Sequence, residues 1–373
     1  MKVVHLLPAL EQGGVETVVC DLNRVLVVAG CESVVCSCGG RLADRIVRDG
    51  GRHIALNLKS KNPLTYFSRA LKLRKVLRDE KPDLVCVHSR VPAWLFVWAN
   101  RALGLRWISY AHGANSVSRY SEVMTKGDLV VVPSKFLADF LKANYGIADE
   151  KIRVIPNAVD RERFDLERLD RDFIAAKRAE WKTDGFFIVM ALGRITQLKG
   201  FDVLVREMCK LPERFKLVIV GEAEARRKSV ETELKRLVVE RRMEGRVVFA
   251  GNQEKVAECL SIADVVVSSN TKKPESFGRS MAEALVMGKP VVAKAFGGAL
   301  GVVRDGIDGI LTKDAEFAEA IEKVSQMTFV NLRKDALERF SFGKMCERTL
   351  ATYGEFDIIL PRPSQRIKYD GCC

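Results

Sequence analysis

Glu275-Ser276-Phe277-Gly278-Arg279-Ser280-Met281-Ala282-Glu283-Ala284-Leu285 is the stretch that decides how this chain is read. Two carboxylates stand eight positions apart with a glycine turn between them, and an apolar helical pattern continues to Met287 and Gly288. Just upstream, Asp264 to Ser268 (DVVVS) has the composition of a short buried strand. Strand, polar loop and helix in that order mark the carboxyl edge of an open α/β sheet, where ligands bind. The helix start offers free N–H groups and the positive end of its dipole to a phosphate. Carboxylates beside a phosphate would repel it, so Glu275 and Glu283 are expected to do other work. A carboxylate accepts well from the paired hydroxyls of a ribose or a hexose. The stretch reads as a site for a sugar joined to a nucleotide.

Around it the chain alternates strands and helices in two series. The first places strands near Lys2–Leu7, Glu32–Cys38, Leu84–His88, Trp107–His112, Leu129–Pro133 and Ile152–Pro156. The second places them near Phe186–Leu192, Lys216–Val220, Arg246–Ala250, Asp264–Ser268 and Pro290–Ala293. Short apolar runs separated by amphipathic helices predict parallel sheets covered on both faces. The expected fold is α/β, two Rossmann-like domains facing across a cleft. A length of 373 residues suits two domains better than one core. Residues 161–184 are rich in Arg, Asp and Glu without a core pattern and are expected to form a connector. Asp170-Arg171-Asp172 within them spells D-x-D, but no apolar strand precedes it, and it reads as a solvated charge run.

Composition narrows the function classes. Hydrophobic residues make up 47% and charged residues 29%, as in soluble globular proteins. No segment approaches the roughly 18 uninterrupted apolar residues of a membrane span. Met1 to Leu10 is apolar, but Glu11 and Gly13-Gly14 follow at once without a small-residue cleavage site, so it reads as a first strand rather than a signal peptide. Ten cysteines include no C-x-x-C pair, and none of the four histidines stands at ligand spacing from another. No metal site is expected, and the thiols are expected to be reduced, as in the cytoplasm.

The net charge of +13 raises an anionic partner. Residues 1–160 hold 23 Lys and Arg against 15 Asp and Glu, and Lys59 to Lys81 alone holds eight basic residues. Pro63 to Leu77 has an amphipathic helical pattern, which fits either a helix with a solvated basic face or a patch that meets anionic lipid at the inner face of a cell membrane. Trp94, Phe96 and Trp98, with Arg90 and Arg101, fit either a buried helix or an interfacial anchor. Cys372-Cys373 fits either an unstructured tail or an acylation site. Nucleic acid is not an expected partner, because no binding motif accompanies the charge.

Two glycine loops add to the site. Gly13-Gly14 follows the first strand and precedes an apolar helix, where backbone can approach a ligand or simply turn tightly. Gly193-Arg194-Ile195-Thr196-Gln197-Leu198-Lys199-Gly200 takes the corresponding place in the second series. It is not a P-loop, and no G-x-G-x-x-G occurs anywhere, which argues against a dinucleotide oxidoreductase. Arg194 and Lys199 on one loop could hold a diphosphate and stabilise its charge as it leaves, without a metal.

These features together resemble the retaining glycosyltransferases of GT-B fold often called family 4, and within them the transferases of bacterial lipopolysaccharide cores. Glu275 and Glu283 fit the E-x7-E motif, and Gly193-Arg194 with Lys199-Gly200 fits the G-R-x(4)-K-G loop. Pro156-Asn157-Ala158-Val159-Asp160 with Phe164, then Phe249-Ala250-Gly251, Gly288-Lys289-Pro290, Gly297-Gly298 and Asp305-Gly306-Ile307-Asp308-Gly309, continue the pattern in order. Members commonly carry a glutamate soon after the paired glycines, where this chain has Ala299-Leu300-Gly301.

The resemblance implies catalytic roles for His112, Arg194, Lys199 and Glu275. His112 would face the reacting sugar, Glu275 would bind its hydroxyls, and Arg194 and Lys199 would hold the diphosphate. Donor binding would involve Gly13, Gly14, Gly251, Asn252, Ser276, Phe277, Gly278, Arg279 and Ser280, with Glu283 on the ribose. The implied division is 1–160 for the acceptor, 161–184 as connector, 185–340 for the nucleotide sugar, 341–360 as a helix returning to the first domain, and 361–373 as a tail. The implied activity is metal-independent, cofactor-free transfer of a hexose from a nucleoside diphosphate sugar to a glycan or glycolipid hydroxyl. A nucleotide-sugar epimerase of the same fold and a catalytically silent sugar-binding partner are the alternatives; the intact set of Arg194, Lys199, Glu275 and Glu283 speaks against both.

Overall fold

The computed structural model describes residues 1–11 and 13–356, so residues 357–360 of the expected last helix, the tail and Cys372-Cys373 lie outside the described residues. The chain forms two compact units, one of Met1–Ala158 with the segment from Phe342 onward, the other of Val159–Ser341.

The first unit holds a seven-stranded parallel sheet. Its strands are β1 (Lys2–Leu6), β2 (Glu32–Ser37), β3 (Arg52–Ala55), β4 (Leu84–Val87), β5 (Trp107–Tyr110), β6 (Leu129–Val132) and β7 (Ile152–Val154). They lie in the order β3-β2-β1-β4-β5-β6-β7. Side chains alternate between the faces of a strand, so a continuous apolar run feeds two cores at once. Val3, Leu84 and Cys86 enter one core, while Val4, Leu6, Val85 and Val87 enter the other. The helix Phe342–Gly354 packs Phe342, Met345, Cys346 and Tyr353 into the first of these.

The second unit holds a six-stranded parallel sheet in the order β10-β9-β8-β11-β12-β13. Its strands are β8 (Phe187–Leu192), β9 (Phe215–Val220), β10 (Val247–Gly251), β11 (Val265–Ser268), β12 (Val291–Lys294) and β13 (Gly309–Thr312). The same alternation sends Ile188 and Met190 to one face and Val189 and Ala191 to the other. A buried network pins the far edge. Asp308, with its side chain 2% exposed, accepts from Arg304 and Arg339, and Arg304 also reaches Asp335. Burial pushes the Asp308 carboxyl up, but the two guanidinium groups more than reverse this and hold it below its usual range.

Three expectations change. Residues 161–184 are not a separate connector but part of the second unit. Asp170 caps the helix Arg171–Trp181 by accepting from the Phe173 amide, and Phe164 and Trp181 are buried in the unit's core. Their apolar residues are too widely spaced to show a pattern, so charge masked the anchors. β3 and β13 were not anticipated, because both are sheet edges whose RHIA and GILT sequences lack a long apolar run. The aromatic trio on the helix Arg90–Asn100 splits: Phe96 is fully buried, while Trp94 and Trp98 are only partly so. Phe96 therefore belongs to the core and cannot be part of an interfacial anchor.

Candidate active site

In the second unit the loop after β8 begins at Gly193 (φ +136°) and ends at Gly200 (φ +64°), both in the left-handed region. Gly200 is pressed against β11's end: a Cβ there would stand 2.1 Å from the Ser269 carbonyl oxygen. The Ser269 hydroxyl donates back to the Lys199 carbonyl at 2.7 Å. The close approach aims Lys199 at the loop that follows β11. There its Nζ donates to Glu275 Oε1 in a tight ion pair. With side-chain exposures of 24% and 17%, this pair is screened much less than one on open surface.

Gly278 (φ +95°) stands at the N-terminus of the helix Arg279–Val286, which buries Met281, Ala282, Ala284, Leu285 and Val286. Phe277 packs edge-on against Phe340 in the core, leaving only its backbone to meet a ligand. Glu283 is largely buried, with Arg279 one turn away at 3.6 Å. The paired glycines close over this loop. The Gly298 amide donates to the Glu275 carbonyl at 2.7 Å, and a Cβ on Gly298 would lie 2.6 Å from Phe277 backbone atoms. The loop without the usual glutamate thus clamps the backbone of Glu275 through glycine alone. Arg194 is 70% exposed and pairs with Glu224 rather than joining Lys199 and Glu275. Gly251 (φ +66°) accepts from the Gly221 amide at 2.8 Å, and Asn252 beside it is exposed. Ser276 and Ser280 are partly buried in the same loop and helix start.

In the first unit Gly13 is extended at the N-terminus of the helix Gly14–Val28, Gly14 is exposed, and the Glu16 carboxylate lies within 2.5 Å of where a Gly13 Cβ would be. His112 sits just beyond β5, partly buried. Its Nε2 lies 3.0 Å from His88 Nδ1, and burial lowers its pKa to about 4, so it is neutral at pH 7. Among the described residues no group of three His, Cys, Asp or Glu is arranged to hold a metal.

Glu16, Glu224, His88 and His5 were not singled out from the sequence. Glu224 had a usable signal, standing just beyond a strand as Arg194 does. The histidines had one as well, since His88 and His112 both end apolar runs and His5 lies within a third.

A second feature of the first unit surrounds the helix Tyr66–Glu80. Leu64, Phe67 and Leu71 are 91%, 60% and 52% exposed, a contiguous apolar ridge rather than a solvated basic face alone. Beside it lies a cavity of about 510 Å³ lined by Lys61, Tyr66, Phe67, Trp94 and Tyr120 among others. Arg69 is buried and bonds Thr65 and Asn62, so it leaves the basic face. No described helix is long and apolar enough to cross a membrane.

Set against known proteins, residues 12–163 match the family model Glycosyltransferase Family 4, and residues 172–339 match the model Glycosyl transferases group 1. Together the two models account for most of the chain, which belongs to the glycosyltransferases they describe. This glycosyltransferase is 29% identical over 334 residues to the lipopolysaccharide core biosynthesis glycosyltransferase LpsE of Rhizobium meliloti, covering 87% of this chain and 88% of LpsE. It matches the crystal structure of a glycosyltransferase from Rickettsia africae with a TM-score of 0.85 and 26% identity, over 95% of this chain and 98% of the other. Anabaena HepE in complex with UDP and glucose shares the fold, with a TM-score of 0.81 and 21% identity over 95% of this chain and 99% of HepE. The chain spans 59%, 88% and 46% of three curated relatives, LpsE being the second. Its two parallel-sheet units are those of the GT-B fold.

Proposed function

We propose that this glycosyltransferase moves a sugar from a nucleoside diphosphate sugar to a hydroxyl of an anionic, lipid-anchored glycan of the lipopolysaccharide-core class, with retention of anomeric configuration. The observation that carries the reading is the Lys199–Glu275 pair beside the Gly278 helix start. A cation, a carboxylate and the start of a helix stand together there, the set that a diphosphate joined to a hexose calls for. On donor binding the Lys199 ammonium turns to the diphosphate and frees Glu275 for the sugar hydroxyls. Arg194 swings from Glu224 to the same diphosphate, and Glu283 takes the ribose. Lys199, Arg194 and the helix dipole then stabilise the leaving phosphate's charge without a metal or cofactor. His112 hydrogen-bonds the reacting sugar, with Gly13 and Gly14 leaving room for the donor. Same-face attack assisted by the departing phosphate accounts for retention. The UDP-bound HepE neighbour and the relative LpsE support the donor and acceptor classes.

The acceptor's membrane is met at the inner leaflet by the Leu64, Phe67 and Leu71 ridge with Lys61, Lys72 and Lys75 around it, which makes this a cytoplasmic, peripheral enzyme. The test is nucleoside diphosphate release from UDP-, GDP- and ADP-sugars with lipopolysaccharide-core acceptors. Release that depends on one donor and on Lys199 supports the proposal, whereas no release from any pair would sink it.

A further inference from the structure

Three of the chain's four histidines lie on neighbouring strands of the first sheet. His5 is in β1, His88 directly follows β4, and His112 stands just beyond β5. Their rings join end to end. His112 Nε2 is 3.0 Å from His88 Nδ1, and His88 Nε2 is 2.9 Å from His5 Nδ1. Tyr110 stacks on His88 with centroids 4.7 Å apart, and its hydroxyl lies 2.9 Å from that of Tyr353. His5 is 0% exposed, and its outer nitrogen, Nε2, is a buried atom without a hydrogen-bond partner. Burial lowers the pKa of His5 to about 3 and that of His112 to about 4, and lowers that of His88 as well. All three rings are neutral at pH 7.

Proton counting then leaves two arrangements. Each neutral ring carries one N–H, and His88 uses both nitrogens, so it must donate one bond and accept the other. Two of the three protons fill the two bonds. The third stands at one end, on His112 Nδ1 or on His5 Nε2. A proton on His5 Nε2 would be a buried donor with no acceptor, a state folded proteins avoid more strictly than an unfilled lone pair. The chain therefore runs outward: His5 Nδ1–H donates to His88, and His88 Nδ1–H donates to His112 Nε2.

We propose that His5 and His88 are positioning residues that lock His112 in its Nδ1–H tautomer and so present a fixed hydrogen-bond donor to the sugar. This rests on the reading above that His112 faces the donor sugar. An N–H aimed at a hydroxyl or a departing phosphate oxygen attracts its lone pairs, whereas a bare nitrogen there would repel the phosphate. Locking the tautomer in advance removes a rearrangement that each turnover would otherwise need. His5 and His88 touch no reacting atom and act only through His112.

The test uses the full chain with ¹⁵N-labelled histidines, read by two-bond ¹H–¹⁵N correlation at pH 7.5, where four imidazoles are assignable one variant at a time. The wild type should show His112 as a pure Nδ1–H tautomer. His88→Asn keeps an amide donor at the Nδ1 position and should preserve that pattern. His88→Gln carries its amide toward His5 instead and should return His112 to mixed tautomers. In turnover at saturating donor, His88→Gln should lower kcat by about tenfold to a hundredfold with donor KM little changed, and His88→Asn should recover most of it. His5→Phe leaves His88 Nε2 facing no acceptor, so His88 keeps its proton on Nδ1 and the His112 pattern should persist, which keeps the test open if His88→Gln does not fold. An Nε2–H tautomer of wild-type His112 overturns the proposal. So does a kcat loss in His88→Gln that Asn does not rescue while the tautomer stays fixed. Absence of turnover in the wild type refutes the transferase reading alone, and the tautomer pattern then decides the relay by itself.

Discussion

Both units of this glycosyltransferase build a parallel sheet with glycines in the loop after its first strand, yet their carboxyl edges end in different chemistry. The first ends in a chain of neutral rings, the buried His5 and His88 and the partly buried His112. The second ends in charge pairs: Lys199 with Glu275, Arg194 with Glu224, and Arg279 with Glu283. All four histidines lie in the first unit and none in the second. The fold supplies the same address twice, and burial decides what can occupy it. A buried ring can shed its charge and keep its hydrogen bonds, whereas a lysine or carboxylate held at an edge needs a counter-charge.

The contrast can be broken most sharply at Lys199. Lys199→Ala removes the cation at the second edge, and nucleoside diphosphate release should slow by about a hundredfold to a thousandfold with the thermal midpoint nearly unchanged. A Lys199→Ala protein as active as wild type would show that the charged edge does not serve the leaving group. Next in size is Asp308→Ala, which leaves Arg304 and Arg339 without their buried carboxylate. Urea unfolding should report a loss of about 3 kcal/mol in the second unit. Gly298→Ala drives a Cβ into the Phe277 backbone and should cost about 1–3 kcal/mol while weakening donor binding, read by calorimetry. Unchanged donor affinity there would separate the glycine clamp from the site.

The units also differ in how they respond to pH. The unfolded chain protonates its histidines near pH 6.5, whereas folded His5 and His112 protonate only near pH 3 and pH 4. The unfolded state therefore binds more protons in this window, and the histidine contribution, fully present above pH 6.5, is lost as pH falls. Each buried ring contributes at most about 1.4 kcal/mol per pH unit. Peptide-resolved proteolysis in urea between pH 7 and pH 5 should show the first unit weakening before the second. Equal weakening of both would show that the rings are not what sets the first unit's response. The smallest expected effect is Phe67→Ser, which should reduce sedimentation with anionic vesicles about tenfold and leave turnover of a soluble acceptor intact.

Much of this was legible in the sequence. The strands at the centre of both sheets announce themselves as Val- and Ile-rich runs, and Gly193, Gly200, Gly278 and Gly298 stand where the backbone needs them. Glu275 and Lys199 were legible as residues of strand-end loops, and the structure pairs them. β3 and β13 were not, because their four residues, RHIA and GILT, are too short and mixed to form an apolar run. Phe164 and Trp181 were hidden for a different reason, being isolated anchors in a charged segment.

Local order in the chain thus determined the α/β class, the two series of strands and the glycine loops at their ends, because periodicity and backbone conformation act over a few residues. Tertiary structure alone decided that Lys199 meets Glu275, 76 positions away, and that His5 meets His88, 83 positions away. Those meetings depend on which strands become neighbours in a parallel sheet, and strand order is settled by long-range packing that no local pattern encodes.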